Sequence, residues 1–369
     1  MLSITEKHST ALKWLGQQVL NRQEPAAYFD PILELINPLW ARRYLPARVE
    51  SVDEETHDTR TFTLRPARRW RGFRPGQHLN IQIEKDGRWC SRPFTISSAP
   101  SLWAEHGLVT ITVKRVSNGE VTPWLHEQIG PGDVVGRTEA FGDEPNPRLD
   151  EPVLFIAGGS GITPALSQLQ AMAEQGHQAP VTLLYFVRTS QDVIGRRTLE
   201  SLQKRMPQLS VTIVESEADP QSPEHLSASH LKAVSELAKR SCYLCGPPAM
   251  MDIATDLLSE AEVPEEQVHQ TFFGPKSVPQ MDVDGGGVVF FTRSGIEATN
   301  EDSRVLLEMA EDASLNPRYG CRMGICHQCS CRKTSGTVIN RLTGVESSPG
   351  EETIQLCISV PRGAVEVDL

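Results

Sequence analysis

Long apolar runs are missing from this chain. No stretch approaches the roughly 20 residues that a membrane-spanning helix requires, and apolar residues make up only 39% of the 369 positions. The opening Met1-Leu-Ser-Ile-Thr-Glu-Lys-His8 has neither the basic start nor the apolar core of a secretory signal, so a cytoplasmic protein is expected. Cysteine is also sparse. Eight cysteines in a chain of this length, five of them at or beyond Cys321, are too few and too clustered for a disulfide scaffold. Positive charge is in deficit: 36 Lys and Arg against 47 Asp and Glu leave a net charge of −11. That balance excludes general nucleic-acid binding, which needs a basic footprint, and suits a chain that meets a basic partner surface. One stretch runs the other way, Arg65-Pro-Ala-Arg-Arg-Trp-Arg-Gly-Phe-Arg74. It reads either as a solvated loop or as a docking patch for an acidic domain or anionic membrane. Internal repeats and low-complexity tracts are absent, and the length suggests two or three domains.

What is present gathers near the carboxyl terminus. Cys321-Arg-Met-Gly-Ile-Cys326-His-Gln-Cys329 puts three thiols in one loop, and Cys357 supplies a distant fourth. A two-iron, two-sulfide cluster takes four thiolates, and C-x4-C-x2-C…C is the plant-type [2Fe–2S] spacing. Zinc sites present their ligands in pairs, whereas these thiols fall three and one. Gly320 and Gly324 permit the tight curvature of such a loop. Cys331 then reads as a thiol outside the ligand set, and His327 as an exposed loop histidine. Upstream, Val288–Thr292 and Ile296–Thr299 read as a hairpin. A helix over Ser303–Asp312 follows, capped by Asn300 or Asp302, with Leu306, Leu307 and Ala310 inward. With Tyr319-Gly-Cys321 and Leu356-Cys357-Ile358 in the same order, residues 287–369 resemble the ferredoxin domain family. The resemblance implies a β-grasp-like fold and a [2Fe–2S] cluster on Cys321, Cys326, Cys329 and Cys357.

Residues 1–45 read as a helical extension, with helices over Ser9–Asn21 and Asp30–Ile36 bearing imperfect apolar stripes. Packing on the chain itself is one reading. Peripheral membrane or partner docking is the other, because Trp40 lies close to Arg42, Arg43 and Arg48. From 46 to 147 the pattern changes to short alternating strands, Arg48–Val52, Thr59–Leu64, His78–Ile83 and Leu108–Val116, with turns at Pro75-Gly76-Gln77 and Asp86-Gly87. Such spacing predicts a small antiparallel barrel. Within it, Arg92-Pro93-Phe94-Thr95 resembles the Arg-x-Tyr-Ser/Thr motif of the ferredoxin reductase flavin barrel, with Phe for Tyr. Gly119-Glu-Val121-Thr122 resembles that family's second phosphate-cradling turn. The resemblance implies Arg92 at the flavin phosphate, Phe94 against the isoalloxazine and Thr95 near its N5. Pro93, Val113, Lys114, Gly119, Val121 and Thr122 complete the implied flavin contacts. FAD is favoured over FMN by the diphosphate-style turn.

Residues 148–273 alternate strand and helix, which predicts a parallel sheet. The expected strands are Val153–Ala157, Val181–Val187, Val211–Glu215 and Cys242–Cys245. The expected helices are Ala165–Glu174, Arg196–Arg205 and Ala228–Lys239. Gly158-Gly159-Ser-Gly161-Ile-Thr163-Pro164 closes the first strand and opens a helix, where small residues and a helix N-terminus favour phosphate. This segment and Cys245-Gly246-Pro247-Pro-Ala-Met250 resemble the nucleotide domain of ferredoxin reductases. That likeness implies Thr163 near the nicotinamide carboxamide and Cys245 at the border of nicotinamide and flavin. Thr271 stands where the family's carboxylate is expected, and Phe273 is the expected aromatic wall. Arg188, Arg196 and Arg197 suit the 2′-phosphate of NADPH, while Glu215 and Glu217 oppose it, so NADH and NADPH both stay open with a lean to NADPH. The Pro/Gly-rich segment 274–286 reads as a linker.

The fold class implied is multidomain α/β and β: a flavin barrel, an NAD(P)-binding α/β domain and a [2Fe–2S] domain. The implied activity is electron transfer from NAD(P)H through flavin (catalytic residues Thr95, Cys245 and Phe273) and cluster to an iron-containing enzyme. The resemblance points most closely to reductases of fatty-acyl desaturases and bacterial oxygenases. A membrane desaturase is the expected partner. The alternatives are a soluble aromatic or amine oxygenase, or a redox-sensing role without turnover.

Overall fold

The structure, a computed structural model, describes residue 39 and residues 45–85, 88–117, 119–142, 145–218, 223–271, 285–300, 302–315, 317, 319, 324 and 329–369. The helices expected at Ser9–Asn21 and Asp30–Ile36 lie outside these residues, as do Phe273 and most of the 274–286 linker.

The first unit is antiparallel. Its elements are β1 (Leu45–Thr56), β2 (Thr59–Pro66), β3 (His78–Lys85), β4 (Arg88–Thr95), α1 (Pro100–His106), β5 (Val109–Lys114), α2 (Val121–Gln128) and β6 (Val134–Arg137). The strands order as β4-β3-β6-β1-β2-β5. Period-two alternation turns Leu79, Ile81 and Ile83 of β3, and Val109, Ile111 and Val113 of β5, into one core. An Ile96–Ile111 bridge and a Ser97 N–H to Thr110 carbonyl bond join the edge strands, so the sheet closes as a barrel.

In the arginine-rich stretch Trp70 is the buried hub. It stacks on Phe73, meets Trp103 edge-on and lies 4.5 Å from the guanidinium carbon of Arg137. Arg68, Arg69, Arg71 and Arg74 are left outside. Arg137 itself is only 1% exposed, and burial pulls its pKa down to about 9. Its cation faces an indole, and the nearby Glu139 carboxylate acts against the burial.

The second unit alternates β7 (Val153–Gly158), α3 (Ile162–Gln175), β8 (Val181–Val187), α4 (Arg196–Arg205), β9 (Leu209–Glu215), α5 (Ala228–Lys232), β10 (Ser241–Cys245), α6 (Pro248–Glu260) and β11 (Val268–Thr271). Its parallel order, β11-β10-β7-β8-β9, puts the glycine-bearing β7 at the centre. Helix α3 begins three residues before the expected Ala165, because Pro164 sits in its first turn, where no amide hydrogen is needed. The helix expected over Ala228–Lys239 is interrupted: α5 ends at Lys232, and Glu236 adopts a left-handed φ of 51° before a short 3₁₀ turn.

The third unit comprises β12 (Gly287–Phe291), β13 (Ile296–Asn300), α7 (Leu306–Asp312), β14 (Ser330–Asn340), β15 (Glu352–Gln355) and β16 (Ser359–Val367), ordered β13-β12-β16-β14-β15 with β12 and β16 parallel. Leu306, Leu307 and Ala310 are buried as expected. The cap expected at Asn300 or Asp302 is not formed, since α7 starts at Leu306 with Val305 at its N-cap. Asn300 instead ties the preceding turn: its side-chain oxygen accepts the Arg304 amide and its nitrogen donates to the Arg304 carbonyl.

Candidate redox centre

Two glycine loops lock together at the carboxyl edge of the parallel sheet. Ala157 at the end of β7 pairs with Cys245 at the end of β10. A Cβ on Gly161 would lie 2.1 Å from the Cys245 carbonyl oxygen, and one on Gly158 would lie 2.7 Å from Pro247. Only glycine allows this approach. The two segments singled out in the sequence therefore form one wall. Phe155, Ala157, Gly161, Pro164, Gln168, Tyr243, Cys245 and Thr271 line a small cleft there. Thr271 pairs in register with Cys245 and is buried, so the threonine that stands in place of the family's carboxylate lines this cleft. Thr163 is buried with its hydroxyl donating to the Ser160 carbonyl, which braces the glycine turn.

Helix α3 presses this loop against the barrel. Ser167 donates to the Ser98 carbonyl at 2.7 Å and accepts the Gly76 amide at 3.3 Å, and Gln170 donates to the Ser97 carbonyl at 2.8 Å. The turn at Pro75-Gly76-Gln77 is thereby an interdomain contact. Ser97 and Ser98 lie two and three residues beyond Thr95, so these bonds bring the end of β4 beside the glycine loop.

On β4, Thr95 pairs with His78, Phe94 with Leu79 and Arg92 with Ile81. The Thr95 and Ser91 hydroxyls are buried and have no hydrogen-bond partner among the described residues. An orphaned buried hydroxyl carries a desolvation penalty of about 1–3 kcal/mol, which a polar ligand atom would relieve. Arg92 is half-buried and uses one nitrogen on the Ser91 carbonyl, leaving the rest of its fork to an anion. The Gly119 turn is held by Thr122, whose hydroxyl accepts the Val116 amide at 2.9 Å and keeps its own proton to donate. Val113 and Val121 point into the barrel core and offer a ligand only backbone. These donors fit a flavin with its phosphates. His78 packs on Phe141 and is 8% exposed, and burial lowers its pKa to about 4, so it is neutral near pH 7.

A charged clasp joins the units at the other side of β7. Asp58, in the β1–β2 turn, meets Lys114 at 3.4 Å and Arg188 at 3.7 Å, while Arg188 holds Asp192 at 2.7 Å. Hydrogen bonds and these cations keep Asp192 and Asp58 below the usual carboxylate range despite some burial, which acts the other way. Lys114 and Arg188, both expected at cofactors, are engaged with carboxylates. Arg196 donates to the Ser190 carbonyl, and Arg197 is exposed. Sequence reasoning missed Asp58, Ser167 and Gln170, none of which belongs to a motif.

In the third unit, Cys329 and Cys357 come together. The Cys357 amide points at the Cys329 sulfur at 3.5 Å, and the Gly324 amide points at the Cys357 sulfur at 3.3 Å. Backbone donors aimed at both sulfurs favour the thiolate form. Gly324 has a φ of +77°, and a Cβ there would strike Ile358 at 2.8 Å. The fit to a four-thiolate cluster is good as far as these two ligands go; Cys321 and Cys326 lie outside the described residues. Cys331 is half-buried, and its sulfur lies 3.5 Å from the Asp368 carbonyl oxygen.

Comparison with known proteins agrees with this division. The Oxidoreductase FAD-binding domain family matches residues 46–139, the Oxidoreductase NAD-binding domain family residues 155–256, and the 2Fe-2S iron-sulfur cluster binding domain family residues 289–362. An "NADPH oxidoreductase" of Mycobacterium tuberculosis (strain H37Rv) is 30% identical over 349 residues, covering 92% of this chain and 88% of its own length. The chain belongs to the ferredoxin reductase-type oxidoreductases that carry a [2Fe–2S] domain at the carboxyl end. A "Glycine betaine monooxygenase reductase subunit" of Pseudomonas aeruginosa is 28% identical over 90% of this chain and 98% of its own length. Phthalate dioxygenase reductase shares the fold, with a TM-score of 0.61 and 23% identity over 88% of this chain and 98% of that one. This reductase family member is thus an electron-transfer oxidoreductase using FAD, NAD(P)H and a [2Fe–2S] cluster. No helix among the described residues is long and apolar enough to cross a membrane.

Proposed function

We propose that this reductase supplies single electrons from NAD(P)H to an iron-containing, oxygen-activating partner enzyme, and specifically to a membrane fatty-acyl desaturase. The observation that carries the reading is the meeting of three sites in one chain: the orphaned Thr95 hydroxyl, the interlocked Gly161–Cys245 wall and the Cys329–Cys357 pair. FAD supplies the conversion between hydride and single-electron chemistry. The protein's own part is positional. Arg92 and the Gly119–Thr122 turn hold anionic groups, Thr95 offers a hydroxyl to the flavin ring, and Ser167 and Gln170 fix α3 against the barrel. Together these would position bound nicotinamide and flavin against each other. The desaturase reading is supported by the Trp- and Arg-bearing N-terminal residues, which suit a membrane surface.

A soluble oxygenase partner is the second reading, favoured by the names of the relatives. Liposome co-sedimentation and electron delivery to each partner class separate the two: no binding to anionic vesicles and transfer only to a soluble oxygenase would reject the desaturase. The reductase reading itself is tested with Cys357→Ser. That variant should keep ferricyanide reduction by NAD(P)H and lose cytochrome c reduction, and unchanged cytochrome c reduction would count against it.

A further inference from the structure

Lys333 is the third residue of β14 after Ser330, and it is 0% exposed. Its ammonium donates to three backbone carbonyls, Gly336 and Ser348 at 2.8 Å each and Gly350 in a short contact. Three donated bonds use all three hydrogens of the charged form, whereas a neutral amine has only two to give. Among the described residues no carboxylate pairs with it. Its neighbour Arg332 is the opposite case: about half exposed, it lies 3.2 Å from Glu351 and 3.5 Å from Asp368. Lys333 is therefore a dehydrated positive charge that, among the described residues, carbonyl dipoles compensate. Burying an ammonium is costly even when its hydrogens are all bonded.

Lys333 lies four positions after Cys329, which directly precedes β14, roughly 13 Å along the chain at about 3.3 Å per residue. Exposed charges are largely screened beyond about 8–10 Å at physiological salt, and buried ones much less. Adding one electron at the Cys329–Cys357 site, drawn from NAD(P)H, raises the negative charge there by one and requires no proton. We propose that Lys333 sets the reduction potential of this site, its buried positive charge favouring the reduced form. The inference rests on the [2Fe–2S] reading above. Plant-type clusters lie at low potential, so an upward bias from within the domain promotes flow out of the flavin. Coulomb attraction from a fixed, weakly screened charge gives such a bias without touching the ligands.

The test is a dye-mediated redox titration of the full-length holoprotein, with the rhombic paramagnetic signal of the reduced cluster as readout. Wild type is compared with Lys333→Met, Lys333→Gln, Lys333→Arg and the exposed control Arg332→Gln. Both neutral variants should titrate at a lower potential than wild type, Lys333→Arg should restore the wild-type value, and Arg332→Gln should shift it less than either neutral variant. Neutral variants that load the cluster and titrate with wild type would overturn the proposal. So would loss of the cluster in both, since Lys333 would then serve only the fold. A wild-type protein that gives no rhombic signal at all would instead sink the [2Fe–2S] reading beneath it.

Discussion

Acid should weaken the flavin barrel through His78. This histidine lies opposite Thr95 in the β3–β4 ladder, and burial lowers its pKa from 6.5 to about 4. A depressed histidine binds fewer protons folded than unfolded, so stability rises with pH across this window. The penalty is absent above the unfolded value, begins as pH falls through about 6.5, and reaches its full size near pH 4. A shift of about 2.5 units at 1.36 kcal/mol each gives about 3 kcal/mol, of which about 2 kcal/mol is already felt at pH 5. The perturbation is His78→Leu, close in volume and unable to titrate. Urea unfolding of both proteins between pH 7.5 and 4.5, followed by the rise in fluorescence as flavin is released, measures the difference. His126, His177 and His269 are also lowered by burial and steepen both curves alike. The lowered carboxylates Asp58 and Asp192 act below the window. The variant should lose about 2 kcal/mol less than wild type between pH 7.5 and 5. Parallel curves would refute the argument that His78 is held neutral in the folded barrel.

Other perturbations bear on the domain contacts. Gly161→Ala forces a methyl against the Cys245 carbonyl oxygen, where an ideal Cβ sits 2.1 Å away; flavin content should persist while flavin reduction by NAD(P)H in stopped flow falls at least about tenfold, equivalent to about 1.4 kcal/mol. Ser167→Ala strands the Gly76 amide and loses a donor to Ser98; a cost of about 1–3 kcal/mol should appear as a lower melting temperature of the flavin and nucleotide units. Asp58→Asn removes the carboxylate shared by Lys114 and Arg188. Because Arg188 is half exposed and keeps Asp192, the effect on the nucleotide KM should stay below about fivefold, within the about 1 kcal/mol ceiling of exposed pairs.

The order of the three units was legible because the first two carry their own hydrophobic patterns and the third its cysteine spacing. Alternation gave β3 and β5, continuous apolar runs gave β7 and β8, and β8 and α4 fall on their expected bounds. The glycine motifs were legible as phosphate loops, but their mutual lock was not, because it depends on β7 and β10 lying side by side although more than 80 residues apart in sequence. The break in the helix after Lys232 escaped for a local reason: nothing in the apolar pattern announces that Glu236 takes a left-handed backbone. The misplaced cap before α7 is similar, since an asparagine offers its amide equally to a helix end or to its own turn, and here the turn won. Lys333 gave no signal at all. A lysine on a strand reads as solvent-facing, and only the course of the loop through Ser348 and Gly350 makes it interior.

The lock between the loops after β7 and β10 also limits how such proteins can be recombined. A nucleotide domain grafted at a boundary between these strands would bring together a glycine turn and a cysteine turn shaped in different hosts. With less than a methyl group's clearance between them, such a graft would start from a collision. Exchange of coenzyme preference is therefore better sought at the outer strands, where side chains meet solvent, than at the centre, where two backbones already touch.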